Sequence, residues 1–288
     1  MKEKITVAVF SDIHSNHIAF EACIREIEKR GIQHILFLGD YVSNCAYPQK
    51  TMDLIYALKE NRQCRFIRGN REELLLGHAK GADDGWKIPS SWSGAIYYTY
   101  KNLREKDINF FSDMEISGFM DIEGFPRFAY CHGSMTEANG KVNRETAEVF
   151  FEKSGVSLLV CGHTHFPGCW QYENGKVINA GSIGTPVNRD GMAEFVILHG
   201  TKNGWTEEFV TVDFDRTETA KELKDSGLLD QSLMFGRMIR DLLINKIDRW
   251  DDLMALAKEK YIADTGSEGD STLPESYLEL AAEEMGIP

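Results

Sequence analysis

The chain lacks the long apolar runs and the excess of basic residues that mark two large classes of protein. No stretch approaches the roughly 20 apolar residues that a helix needs to cross a bilayer, so we expect no membrane partner. The net charge is −13, whereas proteins that hold the nucleic-acid backbone cluster Lys and Arg. A nucleic-acid partner is therefore not expected, except as a small nucleotide that serves as a substrate.

The sequence also lacks the cysteine spacing of a zinc–cysteine cluster. Its six cysteines include no Cys-x-x-C pair, and several lie in apolar segments, so we interpret them as reduced, mostly buried thiols. No signal peptide is recognised, since Met1 to Lys4 leads directly into a short apolar run. These features together predict a cytoplasmic protein.

The first part of the chain alternates strand-like and helix-like segments. Apolar runs at 5–10, 33–38 and 65–67 are typical of strands, and a helix-like segment lies at 51–60. The first run shows no polar alternation, which indicates a strand buried on both faces. Strand, helix and strand at this spacing predict a parallel sheet with right-handed crossovers.

The second half contains further strand-like segments and one helix-like segment at 145–153. Two pairs of these segments are joined by turn residues and predict hairpins. We therefore expect an α/β fold in which two facing mixed sheets are sandwiched by helices, followed by a C-terminal helical appendage. The strand-like segments lie at 116–122, 127–130, 157–160, 169–172, 176–178, 193–198 and 206–212.

We predict one domain at residues 1–216, with a helical insertion at about 72–114, and an accessory helical segment at 217–288. Within the accessory segment, 265–270 has the composition of a linker. The insertion carries an aromatic stripe that fits either ordinary helix packing, which we favour, or the wall of a substrate site. The stripe consists of Trp92, Tyr97, Tyr98 and Tyr100.

Polar side chains follow the predicted strands where open α/β sheets place their chemistry. Asp12 and His14 stand two positions apart, so in an extended segment both point to the same side. Alone, this pair fits a capping Asp beside a loop His as well as a metal site. The complete set is Asp12, His14, Asp40, Asn70, His132, His163 and His165. Such ligands suit first-row divalent metals, and seven are about right for two ions that share a carboxylate.

The order of these motifs resembles the calcineurin-like metallophosphoesterases. The resemblance rests on Asp12-Ile13-His14, Gly39-Asp40, Gly69-Asn70-Arg71, His132-Gly133 and Gly162-His163-Thr164-His165. The first motif continues as Ser15-Asn16, and Asn179 to Gly184 is similar to the Asn-Pro-Gly-Ser-Val-Gly of a bacterial and archaeal phosphodiesterase branch. The match runs from about Thr6 to Arg216 and implies the family's four-layer αββα sandwich.

The resemblance also implies a role for each candidate ligand. Asp12, His14 and His165 would hold a first ion, Asn70, His132 and His163 a second, and Asp40 would bridge them. The implied cofactors are two divalent transition-metal ions, with Mn favoured over Fe, Zn, Ni and Co. The implied reaction is hydrolysis of a small phosphodiester by in-line attack of a hydroxide that bridges the ions. The candidate catalytic residues are Asp40, Asn70, Arg71 and His132, and the candidate substrate contacts are Asn16, Arg71, Gly181 and Ser182.

The chain departs from the family pattern at Arg71, where many relatives have His. A His there can protonate the leaving oxygen, but a guanidinium keeps its proton and can instead bind phosphate through two hydrogen bonds. The alternative is a surface Arg paired with Glu72 or Glu73. With Arg at this position in place of His, the leaving group would take its proton from water, His17 or His78, unless a good leaving group needs no proton.

Two other functions are weighed against phosphodiester hydrolysis. Protein phosphatases and dinucleoside-polyphosphate hydrolases continue the Gly-Asp motif with an Arg, whereas Asp40 is followed here by Tyr41 to Cys45, which includes no Arg. A scaffold of the same fold that has lost metal ligands is disfavoured by the complete ligand set. Whether the protein forms a homo-oligomer stays open.

Overall fold

Two five-stranded mixed sheets form the centre of the molecule in the computed structural model, which describes residues 4–268 and 272–288. From edge to edge, the first sheet contains β10 (Gly204–Val212), β9 (Ala193–Thr201), β1 (Ile5–Phe10), β2 (His34–Phe37) and β3 (Gln63–Phe66). β1, β2 and β3 are parallel, as predicted. β9 pairs antiparallel with β1, and β10 pairs antiparallel with β9.

The second sheet has a parallel centre with an antiparallel strand at each edge. Its strands are β4 (Ser117–Met120), β5 (Phe128–Cys131), β6 (Leu158–Cys161), β8 (Lys176–Asn179) and β7 (Gly168–Gln171), in spatial order. The predicted hairpins are β4–β5 and β7–β8.

The helices lie outside the sheets and in the C-terminal part. They are α1 (His17–Lys29), α2 (Pro48–Asn61), α3 (Asn70–Ala79), α4 (Gly94–Lys101), α5 (Glu105–Ser112), α6 (Arg144–Ser154), α7 (Arg216–Asp225), α8 (Leu228–Asn245), α9 (Trp250–Thr265) and α10 (Glu275–Glu284). None of the helices in the described ranges is long and apolar enough to span a bilayer.

The side chains of β1 show how the layers form. Val7 and Val9 point into the apolar cluster between the two sheets, whereas Ala8 and Phe10 point into the cluster shared with α1 and α2. All four are fully buried, which explains why this strand has no polar alternation. On the far side of the second sheet, Phe151 of α6 completes another apolar cluster. The predicted sandwich of two sheets between helices is thereby confirmed.

The C-terminal helices contribute to two apolar clusters. Leu223 of α7 and Leu228 of α8 belong to the large cluster beneath the first sheet. Another face of α8 packs with α9 and α10 in a smaller cluster that includes Met238 and Leu253. The segment predicted as a linker begins at Thr265, the last residue of α9, and its residues 269–270 lie outside the described ranges.

The aromatic stripe of the insertion packs against its surroundings. Tyr98 is buried and its hydroxyl donates to the carbonyl of Ala46 at 3.0 Å. Trp92 lies edge-on to Trp250 of α9. These contacts favour helix packing over the wall of a substrate site.

We expect Gly94→Ala to destabilise the protein, because the backbones of α4 and α8 approach closely at this glycine. A Cβ at residue 94 would lie 2.0 Å from the carbonyl oxygen of Gln231. Overpacking of this kind costs about 1–3 kcal/mol of the free energy of unfolding, which urea titration measures. Gly77→Ala in α3 is the matched control, since the nearest atom would be 4.0 Å away. Equal stability of the two variants would contradict the close packing of α4 on α8.

Candidate metal centre

Five of the seven predicted ligands have a left-handed backbone conformation, which residues other than glycine seldom adopt. Their φ angles lie between 49° and 68°. Such a residue turns the chain sharply where it leaves a strand and directs the side chain over the ends of the sheets. Backbone strain of this kind persists only where surrounding contacts enforce it, and it is concentrated at functional sites. The five are Asp12, His14, Asp40, His163 and His165.

Hydrogen bonds between loops enforce these conformations. The N–H of Asp12 donates to the carbonyl of Gly39 at 3.1 Å, and the N–H of His14 donates to that of Asp40 at 3.0 Å. These bonds join the loop after β1 to the loop after β2. Oδ2 of Asp12 accepts from the backbone N–H of His163 at 3.0 Å, which connects the first sheet to the second.

The first ligand cluster consists of Asp12, His14 and His165. Nε2 of His165 lies 3.0 Å from Nε2 of His14 and 3.2 Å from Oδ1 of Asp12. Nε2 of His14 is 3.6 Å from the same carboxylate oxygen. Two imidazole nitrogens and one oxygen therefore converge on one point, as the ligands of a single ion do.

The second ligand cluster lies beside the first. Oδ1 of Asn70 is 3.1 Å from Nε2 of His132 and 3.0 Å from Nδ1 of His163. Asp40 stands between the clusters, with Oδ1 3.5 Å from Nε2 of His132 and Oδ2 3.8 Å from Nε2 of His14. The structure thus brings all seven predicted ligands together.

These spacings fit metal ligands. Donor atoms bonded at about 2.1 Å to one ion and separated by ordinary coordination angles lie about 3.0–3.4 Å apart. In addition, Oδ1 of Asp12 is buried and has no hydrogen bond of normal geometry among the described residues. A buried carboxylate oxygen without a partner is costly unless a cation faces it. The set of carboxylate, amide and imidazole donors suits a divalent transition metal.

Hydrogen bonds behind the ligands orient two of the imidazoles. Nδ1 of His132 is 2.8 Å from the carbonyl of Leu38, and Nδ1 of His165 is 3.1 Å from that of Thr185. A carbonyl only accepts, so each Nδ1 carries a proton and each Nε2 is the nitrogen that would bind an ion. Such outer contacts typically fix the tautomer of a metal-binding histidine.

The family assignment follows from the sequence as a whole. The model of the calcineurin-like phosphoesterase superfamily domain matches residues 5–203. The chain belongs to this superfamily. The resemblance inferred from the motifs is confirmed, and the Asp and His clusters are candidate sites for the divalent metals that the family uses.

Individual relatives support the same fold. The chain is 28% identical over 258 residues to an uncharacterised protein of Methanocaldococcus jannaschii, covering 81% of this chain and 99% of that protein. A hypothetical protein of Pyrococcus horikoshii is structurally similar, with a TM-score of 0.71, 21% identity and coverage of 83% and 97% of the two chains. A metallophosphoesterase of Sphaerobacter thermophilus has a TM-score of 0.60, with 19% identity and coverage of 77% and 94%.

A buried carboxylate that sequence reasoning missed holds two loops of the candidate site in place. Glu72 is fully buried, and its Oε2 accepts from the N–H groups of Asp40 and Gly69, both at 2.8 Å. Its Oε1 accepts from the N–H of Tyr41 at 2.9 Å. Burial and the charge of Asp40 raise the pKa of Glu72 to about 7. A Glu three residues after the Gly69 N-cap is the signal that could have found it.

Charges at the centre reinforce one another. Burial raises the pKa of Asp12, but the neighbouring imidazoles, foremost His165, hold it well below its usual range. Burial also disfavours the ionised form of Asp40, yet His132 lowers the pKa of this carboxyl to about 2. Conversely, burial lowers the pKa of His132, while Asp40 and Asp12 raise it to about 9. Both carboxylates are therefore ionised at neutral pH, as metal ligands must be.

Arg71 lies beside Asp40. Its backbone N–H donates to Oδ1 of Asp40 at 2.9 Å, and its Nε is 3.9 Å from Oδ2. Neither candidate partner is paired with it, because Glu72 binds backbone N–H groups and Glu73 lies 3.5 Å from Nε of Arg68. The guanidinium is therefore adjacent to the ligand clusters, which favours the phosphate interpretation over a surface ion pair.

The other three candidate substrate contacts already have partners inside the protein. Asn16 caps α1 by accepting from Ala19, and its amide donates to the carbonyl of Gly184 at 2.8 Å. The N–H of Gly181 donates to Oδ1 of Asn179 at 3.0 Å. The hydroxyl of Ser182 donates to the carbonyl of Asp12 at 2.9 Å. These contacts show that the three residues support the loops of the site, and their contact with a substrate stays a prediction.

The two histidines considered as acids lie outside the clusters. Nε2 of His17 is 3.0 Å from the carboxylate of Glu222 in α7. Nδ1 of His78 is 2.8 Å from Asp84. His78 follows Asn70 by eight residues in α3, which places it about 12 Å further along the helix axis. Both residues nevertheless line one cavity of about 300 Å³, so His78 stays a candidate acid.

We expect the affinity for Mn²⁺ to rise with pH, because an ion has to displace the proton that His132 retains up to about pH 9. One displaced proton corresponds to about a tenfold gain in affinity per pH unit below that value. Competition with a chelator of known affinity, at several pH values between about 6.5 and 8.5, measures the slope. A slope of zero would contradict the raised pKa of His132, since no proton would then be displaced.

Proposed function

We propose that this phosphoesterase hydrolyses a small phosphodiester with two divalent metal ions, of which Mn is favoured. The observation that carries the proposal is the position of Asp40, whose two oxygens face different ligand clusters. A carboxylate in that position can serve both ions at once. In this assignment Asp12, His14 and His165 hold one ion, and Asn70, His132 and His163 hold the other.

The charge of the ligand set supports this reading. When bound, paired ions neutralise phosphoryl oxygens and lower the pKa of water, which supplies the nucleophile. Asp12 and Asp40 are the only acidic side chains among the seven ligands, since Asn70 offers a neutral carbonyl oxygen. Two dications would therefore leave the centre positive and attractive to a phosphate anion.

Arg71 is the residue that we assign to phosphate binding. Its guanidinium lies beside the bridging carboxylate and has no other acidic partner within ion-pair distance among the described residues. A guanidinium matches the geometry of two phosphate oxygens, and it cannot donate its proton to a leaving group. This position therefore favours substrates whose leaving group needs no strong acid.

Two cavities beside the second cluster support a diester over a monoester. One, of about 520 Å³, is lined by His163, and the other, of about 300 Å³, is lined by Asn70. The loop after β5 separates them, with Gly133 lining the first and Asn139 the second. A phosphodiester carries two organic groups, and each could extend into one cavity.

Metal content and hydrolysis of bis(p-nitrophenyl) phosphate test the proposal directly. We expect the Mn-reconstituted protein to hold two ions per chain by elemental analysis. Asp40→Asn should lose one or both ions and at least about 10²-fold in kcat/KM, because it removes charge shared by both clusters. Its circular dichroism should match that of the parent, since the amide oxygen can still accept from Arg71.

Asp121→Asn is the matched control, because Asp121 is exposed and follows Met120, which pairs with Phe128 at the end of β5 away from His132. It should keep full metal content and activity. A parent protein with two ions but no hydrolysis of any mono- or diester would support a scaffold instead. Preference for p-nitrophenyl phosphate over the diester would favour a monoesterase.

Replacement of Arg71 tests its role in phosphate binding. Arg71→Ala should lower kcat/KM about 10- to 100-fold, as the loss of a charge-assisted hydrogen bond predicts, without changing the metal content. Arg71→His should raise turnover selectively for substrates with poor, high-pKa leaving groups, because imidazolium can donate a proton to them. Steady-state kinetics on paired aryl and alkyl diesters distinguish these effects.

Arg25→Ala is the control for charge alone, since Arg25 is an exposed residue of α1 paired only with Glu21 at 3.7 Å. It should behave like the parent on every substrate. If Arg71→Ala and Arg71→His also behave like the parent, Arg71 takes no part in the reaction.

A further inference from the structure

The cavity next to His163 has the size of an organic ligand site. Its volume is about 520 Å³, within the range of pockets that bury small molecules. One end is formed by the turn Gly162–Thr164, which carries the ligand His163. The cavity is therefore continuous with the second ligand cluster, and a molecule bound there would lie beside a phosphoryl group at the metal centre.

Aromatic side chains form the outer wall of this cavity. Phe166 is 61% exposed and Trp170 is 44% exposed, although both are large and apolar. Neither packs on another aromatic ring within the described ranges. The Trp170 ring lies directly against the backbone of Gly168, since a Cβ there would come within 2.8 Å of it. The wall therefore presents open aromatic faces, one of which is held in a fixed orientation.

A single basic residue completes the wall. Lys141 lines the cavity and forms no ion pair with any residue that the structure describes. Its ammonium is therefore available to an anionic or hydroxyl group of a ligand in the cavity. The combination of aromatic faces, one free cation and an adjoining phosphate centre is the chemistry that recognises a nucleotide.

We propose that this cavity binds the nucleoside part of a nucleotide phosphodiester, with the base on the faces of Trp170 and Phe166 and Lys141 near the phosphate or the ribose. The inference rests on the proposed phosphodiesterase function, because it names the substrate class of that site. Stacking on aromatic side chains tolerates any base, so we expect little discrimination among the four nucleosides.

Direct binding to the Mn-loaded protein separates this inference from catalysis. Adenosine 5′-monophosphate and ribose 5-phosphate share the phosphate and the sugar and differ in the base. Isothermal titration calorimetry should show at least about tenfold tighter binding of adenosine 5′-monophosphate, the gain expected from stacking. Trp170→Ala and, separately, Phe166→Ala should reduce that preference while leaving the affinity for ribose 5-phosphate unchanged.

Phe209→Ala on β10 is the matched control, because this Phe is 38% exposed on the other sheet. It should keep the preference of the parent. Equal binding of the two ligands to the parent, or an unchanged preference in both cavity variants, would overturn the inference. Preferential binding of adenosine 5′-monophosphate without hydrolysis of any diester would leave the cavity assignment standing and reject the phosphodiesterase proposal.

Discussion

The candidate metal centre depends on one constraint, which is that its predicted ligands come from both sheets. Asp12, His14, Asp40 and Asn70 follow strands of the first sheet, and His132, His163 and His165 follow strands of the second. The carboxyl ends of the sheets must therefore be held at a fixed separation. Among the hydrogen bonds that join the sheets, two that involve predicted ligands run from the N–H of His163 to Asp12 and from Nδ1 of His132 to the carbonyl of Leu38. Each bond orients a predicted ligand and joins the sheets at the same time. A change that breaks either bond therefore affects both the packing of the sheets and the geometry of the site.

This arrangement is costly in the protein alone. A left-handed conformation costs on the order of 1–3 kcal/mol for each residue other than glycine, and five ligands adopt it. Asp12, Asp40 and Glu72 also place three carboxyl groups in a buried region, where the pKa of Glu72 rises to about 7. The backbone N–H groups that face Glu72 and the imidazoles that face both Asp residues offset part of this cost. Cations at the clusters would offset more, which is why the same residues that strain the fold are suited to bind metal.

The sequence predicted the features that depend on local order along the chain. Polar residues that directly follow parallel apolar strands lie at one edge of the sheet, however the side chains pack. The candidate ligands could therefore be predicted from the sequence. Contacts between segments that are distant in the sequence could not be predicted. Asn16 and Ser182 are predicted substrate contacts. In the structure they bond to Gly184 and Asp12, which only the folded chain brings near. Glu72 was missed for the same reason, because two of its three N–H donors belong to residues 40 and 41 on another loop.

Residue 71 shows how the fold limits what a substitution can change. Its backbone N–H donates to Oδ1 of Asp40, so any residue at this position is held beside the bridging carboxylate. The backbone therefore supports the centre, while the side chain is free to vary and to set the chemistry offered to the substrate. Histidine there can give up a proton, whereas the guanidinium of Arg71 adds a permanent positive charge and gives up none. Under the proposed role of Arg71, exchange between the two would leave the predicted metal ligands in place and shift the balance from protonating a leaving group to binding a phosphate. This single position would then be a point at which members of one fold diverge in substrate.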